Sequence, residues 1–267
     1  MRESIKVFAP ATVANVGCGY DVLGFALEGY GDELILTRRH DDQLVIASIE
    51  GVQGLPLAPE KNVSTVAIKT LLADLDLKQG FDLRIKKNIA AGSGLGSSAS
   101  SAAAAVYAAN EMLGRPKSQL ELINYAMAGE KLASTKAHAD NVAPSILGGF
   151  TAVRSYEPLD VFNISYPESL KVVIIFPQIE IKTSDAKKIL KDEVKLTDAV
   201  KQWGNMAGLV SGLIEHDFER IGKSLQDVIV EPVRSILIPF YHQMKTLALK
   251  KGALGFSISG SGPSMFC

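Results

Sequence analysis

The chain has 267 residues, enough for one large domain or two small ones. Apolar residues make up 47% and charged residues 21%, which is ordinary globular usage and excludes disordered, collagen-like and coiled-coil chains. Lys and Arg number 28 against 29 Asp and Glu, so the net charge of −1 lacks the basic excess of a dedicated nucleic-acid binder.

In chain order, residues 5–9 open a short apolar run that Pro10 ends or interrupts. Residues 33–37 and 44–49 predict short strands rich in Leu, Ile and Val. Residues 62–75 carry Val63, Val66, Ala67, Leu71 and Ala73 at helical spacing, and 81–86 alternate with the period of a half-buried strand. A glycine-rich turn at 92–96 leads into an Ala-rich helix from Ala99, with Ser97 or Ser98 as its N-cap and Gly114-Arg115-Pro116 as its stop. A second helix is expected over 118–132. Pro144 to Leu147 reads as a helix start or turn, and Gly148-Gly149 breaks into a strand at 150–154.

Residues 170–176 predict a buried strand ended by Pro177. Helices are expected over 194–215, 218–228 and 236–250, and a last strand over 256–259. The absence of a strict βαβ rhythm predicts an α+β fold rather than a doubly wound parallel sheet. The polar, Pro-interrupted stretch at 155–168 predicts a domain break, dividing the chain into 1–160 and 161–267. The cysteines, Cys18 and Cys267, cannot build a disulfide framework or a four-ligand zinc site, and read as free thiols in a reducing compartment. No signal peptide is expected, and apolar runs such as 172–177 fall far short of the roughly 20 residues of a membrane helix. A soluble, cytoplasmic protein is the expectation.

The glycine turn carries the most chemistry. Gly92, Gly94 and Gly96 stand at alternate positions between a predicted strand and a predicted helix. Glycines there let backbone N–H groups approach a ligand, and a helix start adds partial positive charge. Together they suit a di- or triphosphate. Ser97 and Ser98 add hydroxyls within reach of a phosphate oxygen or a magnesium ion. No Gly-Lys-Ser/Thr follows, so this is not a P-loop, and the G-x-G-x-G spacing is not the dinucleotide fingerprint. Taken alone, the segment is equally a flexible turn with a helix cap. A second Gly-Ser cluster at 259–264 is a tight turn, placed to approach a ligand or the first loop.

Three segments, 10–21, 92–101 and 255–264, in this order resemble the three motifs of the GHMP kinase superfamily. Ala14-Asn15-Val16-Gly17 with Tyr20-Asp21, His138-Ala139-Asp140-Asn141-Val142-Ala143-Pro144, and Glu231-Pro232-Val233-Arg234 resemble its homoserine-kinase branch. The resemblance spans essentially the whole chain. It implies an N-terminal domain like ribosomal protein S5 domain 2, a ferredoxin-like C-terminal domain, a homodimer, and ATP-dependent phosphorylation of the hydroxyl of L-homoserine in threonine biosynthesis. It places Ala91, Gly92, Ser93, Gly94, Leu95, Gly96, Ser97, Ser98 and Ala99 on the ATP phosphates, with Asn62 and Lys87 near adenine. Ser98 and Glu130 fall where the family holds Mg²⁺, and hard oxygen donors suit that ion. Asn15, Asp21, His138 and Asp140 fall on the amino-acid site, Arg234 on the substrate carboxylate, and Asn141 and Thr183 near the reacting hydroxyl. Without the resemblance, Glu130 reads as an exposed helix charge, His138 as a surface or core histidine, and Arg234 as a surface salt bridge.

Two departures stand out. Lys187 replaces a second carboxylate-binding Arg, which keeps the charge but loses the bidentate fork. Ala90 replaces the Pro that usually precedes the glycine loop. The chain also ends at Cys267, directly after the third motif, where the family continues with a helix and a strand; the expectation is either a shortened chain or an incomplete second sheet with an unpaired edge. The rival readings are a kinase of mevalonate, galactose or shikimate with the same fold, a non-catalytic nucleotide sensor, and a plain α+β domain. The pair Asp21 and Asp140 suits an ammonium that those other substrates lack. Phosphoryl transfer needs positioning and charge stabilisation more than a strong base, so no dedicated protein base is expected.

Overall fold

The computed structural model describes residues 2–133, 138–179, 181, 186 and 188–267. Thr183 and Lys187 lie outside them. The chain begins with β1 (Ser4–Ala14), β2 (Leu23–Arg38) and β3 (Leu44–Glu50). Next come α1 (Val63–Asp74), β4 (Phe81–Lys86), α2 (Ser97–Met112), α3 (Gln119–Ala133) and α4 (Ala139–Leu147), then the hairpin β5 (Phe150–Tyr156) and β6 (Leu159–Ile164). A second region holds β7 (Ile174–Ile175), α5 (Leu196–Glu215), α6 (Phe218–Ser224), α7 (Glu231–Arg234), α8 (Tyr241–Lys250), β8 (Ser257–Ile258) and β9 (Met265–Phe266).

The first six strands form one sheet of order β3-β4-β2-β5-β6, with β1 also pairing β2. Only β3 and β4 run parallel within it, so the fold is the expected α+β. β1 does not stop at Pro10: its pairing with β2 continues beyond a register shift between Pro10 and Thr12. An edge position and a bulge are where a strand tolerates a proline. β2 is far longer than the predicted 33–37, because its first half, interrupted by Gly24 and Gly29, is held by β1 on one edge and β5 on the other.

Helix starts follow local chemistry. Asn62 caps α1, its Oδ1 accepting the Ser64 N–H at 3.0 Å. Ser118 and Glu121 form a reciprocal capping box before α3. α2 differs from expectation. Its N-cap is Gly96 in the left-handed region (φ 67), and neither Ser97 nor Ser98 caps it. Both hydroxyls are bonded elsewhere: Ser97 Oγ donates to the Ile89 carbonyl and Ser98 Oγ to Glu130. α4 starts earlier than expected and carries Pro144 within it.

One core lies between the helices and the sheet. Alanines of α2 pack there with Leu34, Leu36, Phe81, Leu83, Ile68 and Leu122. A second core joins the other end of the sheet to Leu209 and Leu213 of α5, Ile221, Leu225 and Phe266. The polar stretch 155–168 holds the β5–β6 turn, then β6 with residue 160 inside it, and residues 165–168 that follow β6 toward the second region. Residues 170–176 supply only the two-residue β7, half-buried at one edge of the small sheet β7-β9-β8. Val172, Val173 and Phe176 there are exposed, and among the described residues β7 pairs with β9 alone. Residues 225–228 and 236–240 lie outside helices α6 and α8; a 3₁₀ turn (Ser235–Leu237) precedes α8.

Candidate active site

A cleft of about 420 Å³ runs between the glycine turn, α3, the start of α4 and α7. The turn forms its floor. Gly92, Gly94 and Gly96 all have positive φ, between 69° and 80° for the first two and 67° for the last. The first α-helical bond of α2, from Ser100 N–H to the Gly96 carbonyl, puts the amides of Ser97, Ser98 and Ala99 ahead of it, facing the turn. The second Gly-Ser cluster braces the turn from below. Ser259 Oγ donates to the Gly94 carbonyl at 2.7 Å, and the Ser264 N–H to the Ser93 carbonyl at 3.1 Å. A Cβ on Gly94 would lie 2.6 Å from the Gly262 carbonyl oxygen, so only glycine permits this approach.

The neck of the turn is bolted by a buried ion pair. Lys87 bonds Asp32, with the side chains 2% and 1% exposed. Lys87 Nζ also donates to the Ser97 carbonyl at 2.7 Å and to Ser101 Oγ at 2.8 Å. Asp32 Oδ1 accepts the N–H groups of Asn88 and Ile89. Both ends of the turn are thereby tied to one carboxylate. Burial pulls the Lys87 ammonium below its ordinary range, opposed by the Asp32 charge. Lys87 was expected near adenine; it lines the cleft, but its amine is committed to this pair. Asn62 likewise lines the cleft while holding the Pro56 carbonyl through Nδ2.

Glu130 is no exposed helix charge. It is buried on the cleft wall, and Ser98 Oγ donates to its Oε1 at 2.6 Å. Burial raises its carboxyl above the ordinary range, opposed by Ser98 and the Lys87 charge. Ile49, Leu55, Pro56, Val63 and Ile85 make an apolar slot at this end of the cleft.

The opposite end is polar. Asn15 and Asp21 both sit at positive φ (71° and 56°), and Asn15 Oδ1 accepts the Asp21 N–H at 3.0 Å. Asn15 Nδ2 and Arg234 Nη1 both donate to the Gly260 carbonyl, at 2.7 and 3.0 Å. Arg234 is 3% exposed, donates Nε to the Ala186 carbonyl, and lies over the Tyr20 ring at 5.2 Å. It is not the surface salt bridge that α7 alone suggested. Asp140 is 2% exposed, and its Oδ1 has no hydrogen-bond partner among the described residues. Burial, then the Asp21 charge, push its carboxyl up to about 8. His138 and Asn141 complete this wall.

The structure therefore gathers Asn15, Asp21, Asn62, Lys87, Ala91, Gly92, Ser93, Gly94, Gly96, Ser97, Ser98, Glu130, His138, Asp140, Asn141 and Arg234 around one cleft. Leu95 and Ala99 do not line it. Their side chains are buried in the two cores, and only their backbones belong to the turn. Sequence reasoning missed Asp32, Thr12 and Tyr156, whose hydroxyl donates to the Asp21 carbonyl at 3.0 Å. For Asp32, between Gly31 and Glu33 and just ahead of the predicted strand 33–37, the sequence carries no signal.

The GHMP kinases N terminal domain model matches residues 62–149, and the GHMP kinases C terminal model residues 209–267. A homoserine kinase of Chloroherpeton thalassium is 48% identical over 99% of this chain and 86% of its own length. One of Chlorobium phaeovibrioides is 47% identical over the same shares. The crystal structure of homoserine kinase from Cytophaga hutchinsonii superposes with a TM-score of 0.96 at 52% identity, covering 100% of this chain and 85% of that one. A fold and sequence shared this closely over nearly the whole chain identify it as a member of the homoserine kinase family of GHMP kinases.

Proposed function

We propose that the cleft transfers a phosphate from ATP to the side-chain hydroxyl of L-homoserine, yielding O-phospho-L-homoserine in threonine biosynthesis. One observation carries the reading. The cleft presents a buried carboxylate with an orphan oxygen, Asp140, and a buried guanidinium, Arg234, with no carboxylate partner among the described residues. Buried charge demands a partner. An amino acid supplies both at once, its ammonium to Asp140 and Asp21 and its carboxylate to Arg234. Mevalonate, galactose and shikimate carry no ammonium. The homoserine kinases named above support the same substrate.

In this reading the turn amides of 92–99 bind the phosphates, and the apolar slot beside Asn62 takes the adenine. Asn15 orients Asp21, and His138 closes the wall beside Asp140. Asn141 and Thr183 stand near the reacting hydroxyl, and Lys187 is the second cation for the carboxylate. Ser98 and Glu130 fit Mg²⁺: both are hard oxygen donors, and among the described residues no cluster of three His, Cys, Asp or Glu offers a rival cage. An ion that keeps one or two carboxylates and fills its shell with phosphate oxygens and water suits that pair. When bound, it neutralises charge on the β- and γ-phosphates. Asp140 is committed to the ammonium, so no protein base is assigned. A cytoplasmic homodimer belongs to the same reading, and no described helix is long and apolar enough to cross a membrane.

The test is ADP release with Mg·ATP against L-homoserine, L-threonine, mevalonate, galactose and shikimate. Turnover with L-homoserine alone is expected. Turnover with another of these alcohols instead replaces the substrate, and absence of ATP binding removes the phosphate-site reading. Sedimentation equilibrium tests the dimer.

A further inference from the structure

Thr12 lies in β1 just after the register shift, completely buried. Its N–H donates to the Leu95 carbonyl at 3.1 Å, and its hydroxyl donates to Asn141 Oδ1 at 2.8 Å. Gly96 leaves the space for both. A Cβ there would lie 2.1 Å from Thr12 Oγ1 and 2.9 Å from Asn141 Oδ1. Thr12, through its N–H and its hydroxyl, is thus the meeting point of β1, the glycine turn and α4.

A hydroxyl and a primary amide can bond in two ways. The hydroxyl donates to the amide oxygen, or the amide NH₂ donates to the hydroxyl. In the second arrangement the buried Thr12 proton has no other acceptor among the described residues, because Asn141 is its sole side-chain partner there. Buried donors are satisfied. The first arrangement therefore holds, and it turns Asn141 Oδ1 inward and Nδ2 toward the cleft that Asn141 lines. That orientation has a chemical consequence. An NH₂ donor stabilises negative oxygen at a phosphate or a reacting hydroxyl, whereas a carbonyl oxygen in its place repels it.

We infer that Thr12 is a positioning residue for phosphoryl transfer, fixing the Asn141 side-chain amide with its NH₂ group toward the reacting oxygens. This rests on the reading of Asn141 given above. Thr12 is buried and does not line the cleft. It acts through Asn141 and through the gap at Gly96.

The test is a double-mutant cycle on the full chain. Thr12→Val keeps the shape and removes the hydroxyl. It should lower kcat roughly tenfold, the order expected for loss of a supporting hydrogen bond, with KM for ATP and L-homoserine within about twofold. Thr12→Ser should restore most of the loss. In an Asn141→Ala background, Thr12→Val should have no further effect. Should the Val variant not fold, Thr12→Ala replaces it in the cycle. In parallel, the Asn141 side-chain NH₂ resonances, identified by their loss in Asn141→Ala, should shift or broaden in Thr12→Val. Unchanged kcat or unchanged resonances in Thr12→Val overturn the inference. A tenfold loss that persists in an impaired Asn141→Ala background removes Thr12 and leaves the role of Asn141 standing. Wild-type kcat in Asn141→Ala removes both. Failure of the wild type to turn over L-homoserine refutes the substrate, while the resonances still decide Thr12.

Discussion

Under the proposed function, Asp140 is the residue on which substrate binding turns. Its carboxyl is raised from 3.8 to about 8, by burial first and the Asp21 charge second. Between these values the folded state holds a proton that the unfolded chain has released. Stability therefore falls as pH rises through that window and is recovered below it. Asp140→Asn removes the slope. In thermal melts at pH 5 and 8.5, the wild type should lose Tm relative to the Asn variant at the higher pH, by about 2–4 °C for each kcal/mol. Identical slopes would show that Asp140 does not titrate this way. The same variant should raise KM for L-homoserine, because an amide cannot pair with an ammonium. A loss confined to kcat would make Asp140 a base instead. For the wild type, kcat/KM for L-homoserine should rise towards pH 8, by up to about tenfold per unit as the carboxylate ionises. The acidic character of residue 140 was legible in the chain. Its burial was not, because it depends on what β2 and α4 pack against it.

At the scale of elements, the glycine turn and its approach by the 259–264 cluster were legible, and its ion-pair anchorage was not. Three glycines before an Ala-rich run predict a turn and a helix from local conformational preference alone. The helix start was misread at Ser97 and Ser98, because their hydroxyls serve groups distant in sequence, Ile89 and Glu130. The bolt under the turn joins Asp32 of β2 to Lys87 after β4, 55 residues apart. Asp32→Asn should leave a buried lysine uncompensated, destabilising the fold by about 3–5 kcal/mol in urea denaturation. Asp32→Asn combined with Lys87→Met removes both charges and should recover most of that loss. A single variant as stable as the wild type would show that the pair contributes nothing. β1 and β2 make the same point in reverse. Pro10 argues locally for a strand end, but the pairing of β1 with β2 beyond the bulge prevails.

At the scale of the molecule, the two sheets share a core. Phe266 of β9 packs edge-on against Phe25 of β2, with ring centroids 5.9 Å apart, and Phe25 stacks on Phe150 of β5. Leu209, Leu213 and Leu225 from the second region join the same cluster. Phe266→Ala should cost about 3–5 kcal/mol. Unfolding should remain one transition by circular dichroism and by fluorescence of Trp203. Two separated transitions would show that the sheets fold independently. The pairing of β5 with β6 keeps residues 159–164 on the first sheet. A hairpin turn and a linker have the same composition, and only strand pairing tells them apart.

The sequence by itself determined what depends on neighbours a few residues away: the α+β class, the glycine turn, the helix over 63–74 and the strand over 81–86. It also carried family motifs that bring Asn15, Glu130, Asp140 and Arg234 to one cleft. The tertiary structure alone decided which of these charges are buried, which hydroxyls cap and which brace, and which way Asn141 points. Those properties depend on contacts such as Thr12 with Asn141, 129 residues apart. Desolvation and hydrogen-bond pairing are set by what packs around a group, and no local pattern of residues contains that information.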